Sequence, residues 1–528
     1  MRPLPRILIV LAALALFVAS CSSGGGDAER ADDGPTTSRT PTTSGTDSTD
    51  DGDGNGGGGP IEDPLRLGLS GPVSLDPAAI SPASVSSMIL VDLVHDTLTE
   101  VGDDGVVRPG LASFESNPEQ TVWRFVLGAD ATFADGSAIT AGDVATSIDR
   151  IRAQGGASLA AIQLEDIVAV TPLDARTLDI GLAAPSAVLP VVLASPLYGI
   201  LDADRLPGAV GAPVNPSGAP TVAAAAARRV LERRRGTGPA TVELRLFPDD
   251  AAAYDAMSAG ELDWSPVPVD RLGEAGSAFG LGGLVPFHAT VLLGIDPNAE
   301  PLSRAPLRQA ISLAIDRRTL TEAVFGPTAQ ALPGLIPAGT PGAAEDCVGF
   351  CGPDVDTARR LVAEAFPDGA APALRLLTDD SATQTAIAGI LGEQLGAIGV
   401  ELAPLAVDAA TYESFLGVGQ QQLFVYTTLG VGLTPASHLL PWHSTSPDNL
   451  GAYGQGLVDE AIRAAVAEPD PALRTARWRE IEAAVLADVP VVPLAQLRTV
   501  AVVRERVRGL HVRSDGSIDV SRVELRGG

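Results

Sequence analysis

The 528-residue chain contains no lysine: its 36 basic side chains are all arginine, set against 65 acidic ones, for a formal charge of -29. Without lysine, a phosphate-loop lysine, a Schiff-base lysine and a Ser–Lys dyad are excluded. A body this acidic repels nucleic acid and anionic head groups, so nucleic acid is not expected as a partner. Aromatic residues make up only 4%, yet 45% of the chain is hydrophobic, enough at this length for more than one packed core. Neither H-E-x-x-H nor G-x-S-x-G occurs, no internal repeat is visible, and no enzyme or cofactor is expected. Histidine is limited to five residues and cysteine to three. The only long apolar run is Ile7–Ala19, short of the ~20 residues a spanning helix needs.

What surrounds that run is informative. Arg2 and Arg6 precede it, the charged-then-apolar order of an export signal. Val18-Ala19-Ser20-Cys21 resembles a bacterial lipobox, which implies removal of residues 1–20 and lipidation of Cys21. Residues 21–62 are Gly, Ser, Thr, Asp and Pro with almost no apolar side chain, so they are expected to be a disordered tether. A flexible coil of roughly 40 residues reaches on the order of 35 Å. Asp51, Asp53, Asn55, Gly56 and Glu62 fit the spacing of a calcium loop, but their Gly- and Ser-rich flanks supply no helices and calcium is rejected.

Cys347 and Cys351 lie four residues apart in a Gly- and Pro-containing loop of an exported chain. Such a compartment is oxidising, and a zinc site would need two further ligands, so a disulfide is the better reading.

The body reads as α/β. Val242–Phe247 is an alternating strand followed by a helical stretch over 249–259 and a second strand at Leu262-Asp263-Trp264. Leu374–Leu377 is followed by a helix with Ile387, Leu391, Leu395 and Ile398 on one face, which Gly399 ends before a strand at Val400-Glu401-Leu402. Such units build parallel sheets with helices on their faces. Their separation predicts two lobes instead of one sheet. Thr140 and Asp143 are placed to cap a helix bearing Val144, Ile148 and Ile151, and Pro490 to stop one bearing Trp478, Ile481 and Val485.

Several segments resemble the family 5 extracellular solute-binding proteins of ABC importers, the peptide- and nickel-binding class. Phe133-Ala134-Asp135-Gly136 running into Thr140-Ala141-Gly142-Asp143-Val144 is similar to the F-x-D-G-x-x-x-T-A-x-D-V signature, and Ser74-Leu75-Asp76-Pro77 to the S-L-D-P turn. Leu307-Arg308-Gln309-Ala310-Ile311 with Ala314-Ile315-Asp316-Arg317 resembles the R-Q-A-x-x-x-A-I-D-R helix. Asp356–Leu361, Gln394–Val400, Asn449, Tyr453 and Pro490–Leu494 continue in family order, and the resemblance covers residues 63–510. It implies a two-lobed periplasmic-binding-protein-like fold with an extra subdomain and a cleft between the lobes. Lobe I would comprise 63–102, 201–286 and 489–528, the extra subdomain 103–200, and lobe II 287–488. It also implies a monomer held at the outer membrane face by its lipid, delivering a small or peptide-like ligand to ABC permease subunits.

The departures concern the ligand. Peptide-binding members carry a W-x-x-D-Y-P-D-P-like loop whose first aspartate pairs with the peptide's ammonium. Here Thr428 stands at the tryptophan, Val431 at that aspartate, and only Pro435 is kept. Leaving a buried ammonium without its acid costs roughly 3–5 kcal/mol. The expectation is a cleft that rejects free α-amino peptides and prefers a neutral or blocked solute. Contacts are expected from Ser81, Ser84, Tyr198, Thr428, Val431, Thr434 and Trp442, with Tyr198 equally readable as a core residue. His438 and His443 flank Trp442, but two imidazoles fall short of a metal site and none is expected. The altered loop, with the shortened stretch Pro213–Pro220, also motivates an alternative: a scaffold that has left transport and binds an envelope component or a protein.

Overall fold

The protein, a computed structural model, is described over residues 64–526, apart from 72, 81–83, 103–105, 156–157, 207–227, 233–238, 240, 281–282, 370, 420 and 447. The leader, Cys21, the 21–62 tether, Ser81 and the 213–220 stretch lie outside the described residues.

Strict alternation builds the extra subdomain. Trp123, Phe125 and Leu127 point inward from Val122–Leu127, and Leu178, Ile180 and Leu182 do so from Thr177–Leu182. That is the period of two a half-buried strand imposes. These are the central strands of a four-stranded antiparallel sheet, flanked by Ala112–Ser116 and Ile167–Pro172. The helix Ala141–Arg152 closes its core with Val144, Ile148 and Ile151. It begins with a reciprocal cap: Asp143 N–H donates to Thr140 Oγ1 at 3.2 Å and Thr140 N–H to Asp143 Oδ2 at 2.8 Å. Arg150 on this helix reaches back to Asp76 at 2.6 Å, a buried ion pair tying the subdomain to the S-L-D-P turn.

Both strand–helix–strand units are present. Leu65–Ser70 pairs in parallel with Thr241–Phe247 on one side and Trp264–Pro266 on the other. Leu374–Asp379 pairs in parallel with Leu402–Val407 and Leu423–Leu429. The expectation of separate sheets is corrected. One hydrogen-bonded path joins both units, because the 13-residue strands Gly283–Ile295 and Val491–Val503 run antiparallel through the middle. Two lobes therefore share a single curled sheet.

That central pair is irregular where the lobes meet. Its register shifts between Pro286 and Thr290 and again between Val291 and Leu292. Such irregularities bend a strand and re-aim its side chains. In the gap, His288 N–H donates to Ser514 O at 3.0 Å and Gly430 N–H donates to His288 O at 3.2 Å. Gln496 fills the space from the other strand, its Nε2 donating to Phe287 O and Ala338 O.

Lobe I is assembled from distant stretches of chain. Asp263, wholly buried, accepts from Arg66 N–H at 2.8 Å and from Arg506 Nε and Nη2 at 2.6 Å each. In lobe II, Glu482 caps the turn after Pro333, accepting from Leu335 and Ile336 N–H. Cys347 and Cys351 are joined on a surface loop of lobe II, with an S–S distance of 2.09 Å.

Candidate functional site

A cavity of about 140 Å³ opens between the extra subdomain and lobe II. Drug-sized ligands typically occupy ~300–1,000 Å³, so this one suits a small solute or one end group of a larger one. One wall is the end of the strand Leu423–Leu429, presenting Tyr426, Thr427, Thr428 and Leu429. Val431, His438, Trp442 and Asp448 continue it along the following loop. The opposite wall is the turn after the short helix Leu159–Ile162, which contributes Ile162, Gln163, Glu165 and Asp166. Leu164 and Ile167 anchor that turn in the subdomain core, leaving the polar residues between them exposed.

The two walls touch beside the cavity. Val431 packs with the extra subdomain's core, 3% exposed, and Ala187 N–H donates to Val466 O at 2.8 Å.

Of the seven residues expected to meet a ligand, Thr428, Val431 and Trp442 line the cavity. Tyr198 does not. It is buried, and its hydroxyl donates to Ala160 O at 3.0 Å, holding the helix from which the acidic turn departs. Thr434 is also buried: Oγ1 accepts from Ala436 N–H at 3.3 Å and its carbonyl accepts from Ser437 Oγ at 2.9 Å, so it starts the helix Ala436–Leu439. Ser84 caps the helix Val85–Val94, accepting from Ser87 N–H at 3.3 Å, and is not among the lining residues. Ser81 lies outside the described residues.

Sequence reading missed the charge of this cavity. Among the described residues, Glu165, Asp166 and Asp448 line it and no arginine does. Partial desolvation, with the neighbouring Glu165, pushes the carboxyl of the largely exposed Asp166 upward. Val431 brings no charge to the wall; the carboxylates that line the cavity come from outside the 428–435 loop. No local pattern marks Glu165-Asp166, an acidic pair before a strand, as a site.

His438 is the least ordinary lining residue. It is 5% exposed, and neither ring nitrogen has a hydrogen-bond partner in the protein. Burial, reinforced by His288, holds its pKa well below the usual imidazole value. The two rings meet edge to face at 5.7 Å. His288 is better supplied, with Nε2 2.9 Å from Ser514 Oγ, although its Nδ1 is unpartnered. Burial lowers its pKa to about 4, against the opposing pull of Asp515. Gly430 makes room for His438, since a Cβ there would lie 2.3 Å from His438 Nε2. Trp442 closes the wall, stacked edge-on with Tyr453 at 6.3 Å. Among the described residues no cluster of three or more His, Cys, Asp or Glu could hold a metal ion.

Residues 106–449 match the profile of bacterial extracellular solute-binding proteins, family 5 Middle. A Brucella ovis protein named as an ABC transporter peptide-binding protein is 26% identical over 423 residues, covering 73% of this chain and 78% of its own length. Among solved structures, the periplasmic murein tripeptide binding protein MppA in its unliganded open form superposes with a TM-score of 0.72 at 19% identity, covering 88% of this chain and 98% of that one. NikA from Brucella suis, in complex with Fe(III)-EDTA, gives 0.67 at 19% identity, with coverage of 88% and 100%.

Proposed function

Because this chain belongs to the bacterial extracellular solute-binding proteins of family 5, which serve ABC importers, we propose that it is a lipoprotein that carries a small organic solute, peptide-like or other, to its permease. The anchor is Cys21, acylated after removal of residues 1–20. Loading and release proceed by motion about the two long central strands. Opening separates Val431 from the extra subdomain's core and breaks the Ala187–Val466 hydrogen bond. These contacts are few, and a small solute that bridges both walls supplies the differential affinity such a motion needs.

One observation carries this reading: the cavity is walled by two separate bodies, the 162–166 turn and the 426–450 segment. A ligand there can be gripped only when the bodies are together. Mass spectrometry of small molecules released on denaturing the purified full-length protein tests it. A reproducible solute at close to one per chain supports the reading; recovery of a tightly associated envelope protein and no solute would contradict it. For the anchor, Cys21→Ala should move the protein from the membrane fraction to the medium, and retention in membranes would refute the lipid.

A further inference from the structure

Where the lobes join, two histidines are buried against each other. His288 sits in the bulge of the central strand Gly283–Ile295 and is 1% exposed. From lobe II, His438 of the helix Ala436–Leu439 meets it edge to face, the ring centroids 5.7 Å apart. From lobe I, the hairpin formed by His511–Val512 and Ile518–Asp519 carries Ser514 in its turn. Ser514 grips His288 twice: its carbonyl accepts from His288 N–H at 3.0 Å, and its Oγ lies 2.9 Å from Nε2. Ser514 Oγ gives its own proton to Gly339 O at 3.2 Å, so it accepts from Nε2–H and leaves Nδ1 as the bare nitrogen of His288. That Nδ1 has no partner, nor has either ring nitrogen of His438.

Charged groups face the pair from both sides. Asp515, next to Ser514, pulls on His288, and His288 is the group that acts on His438. Asp515 is already engaged, accepting from Ser517 N–H at 3.0 Å and Ser517 Oγ at 2.6 Å. Arg513 and Asp519 pair across the same hairpin at 3.6 Å, and Asp92 accepts from Ile518 N–H at its base. Glu165, Asp166 and Asp448 share the cavity wall with His438. None of these acids hydrogen-bonds either ring. A proton added to His288 Nδ1 or to His438 is therefore a buried N–H without an acceptor, beside a ring that can take the same charge.

We propose that His288 and His438 form a pH-sensitive latch between the lobes: while both rings are neutral they pack and the Ser514 grip holds, and a proton on either ring drives it towards water and opens the junction. This rests on the lobe motion of the solute-binding reading above and adds what biases it. Opening parts the hairpin turn from the bulge, or the bulge from the helix Ala436–Leu439, and each parting wets a ring. Burial holds the His288 pKa at about 4 in the packed state, and that of His438 well below the usual value. A ring that moves from about 4 to the ordinary ~6.5 on wetting favours the open state by about 30-fold at pH ~5. Asp92, its carboxyl raised to about 7, takes up its proton over the same interval and so favours the packed base of the hairpin, which confines the response to the turn.

Hydrogen exchange on the full-length protein tests this at the two amides of the junction, His288 N–H to Ser514 O and Gly430 N–H to His288 O. Corrected for intrinsic rates, both should exchange at least about tenfold faster at pH ~5 than at pH ~7.5, while the strand Val122–Leu127 keeps its rate. His438→Leu keeps the bulk and takes no proton; His288→Gln takes none either, and its amide can still donate to Ser514 Oγ. Either should cut the acceleration at least about threefold. No acceleration in wild type, an undiminished one in His438→Leu, or one shared by Val122–Leu127, which is general acid unfolding, would overturn the latch. Solute released from the denatured wild-type protein separates the two levels of failure. Solute recovered without a localised acid response refutes the latch and keeps the solute-binding reading; no solute, with the response present, refutes that reading and leaves the acid-opened junction standing.

Discussion

Asp263 and His438 are equally deep in the protein and treated in opposite ways. Asp263 has every oxygen occupied, by Arg66 N–H and a two-pronged Arg506, and it joins three remote stretches of lobe I. His438, at the junction of lobe II and the extra subdomain, has no hydrogen bond at either ring nitrogen. A saturated buried charge holds a structure together, because removing one partner strands the others. A buried polar group without a partner gives the fold no such bond and costs its desolvation. The contrast separates residues that build this scaffold from residues that use it.

The comparison breaks most visibly at Asp263. Asp263→Ala leaves Arg66 N–H without its acceptor and takes this acid from the part-buried Arg506, which keeps Pro64 O, and should cost roughly 3–5 kcal/mol in urea denaturation. A cost under 1 kcal/mol would mean that lobe I does not depend on this junction. Glu482→Ala should follow at ~2–3 kcal/mol, since the Leu335 and Ile336 N–H groups lose their acceptor and a cavity opens.

A half-buried acid tests the same idea through pH. Asp92 accepts from Ile518 N–H at 2.8 Å, and burial pushes its carboxyl from 3.8 up to about 7. The folded state therefore holds a proton that the unfolded state gives up. Its contribution is complete below pH ~4 and lost as pH rises through about 7. Asp92→Asn keeps the acceptor and removes the titration. The variant should be more stable than wild type by about 1–2 kcal/mol at pH 8, after discounting for partial exposure, with the gap closing near pH 4. Equal stability at both pH values would remove Asp92 from the account. His288 has the opposite sign. Its pKa is lowered to about 4, so its contribution is complete above ~6.5 and lost as pH falls towards 4.

The sequence revealed much of the scaffold because its signals are local. Thr140 and Asp143 stand three residues apart and cap one helix, and Gly399 adopts a φ of +84° three residues after the end of another. Asp316 accepts from Thr319 N–H at its own helix start. The single curled sheet was not legible, because its continuity depends on strands near residues 290 and 495 finding each other. Nor was the cavity. Reading 428–435 showed which acid had gone, but Glu165 and Asp166 arrive from more than 250 residues upstream. Tyr198 was readable either as a ligand contact or as a core residue, and sequence alone did not choose. Its hydroxyl is instead occupied by Ala160 O, one helix behind the wall.

The claim that Asp263 builds the scaffold while His438 adds little to it is tested most directly by urea denaturation of His438→Leu beside Asp263→Ala. The account predicts ligand-free stability equal to wild type or higher, within about 1 kcal/mol, because an unsatisfied polar group is exchanged for an apolar one of similar size. A loss above about 2 kcal/mol, approaching that of Asp263→Ala, would place His438 among the structural residues and contradict the account.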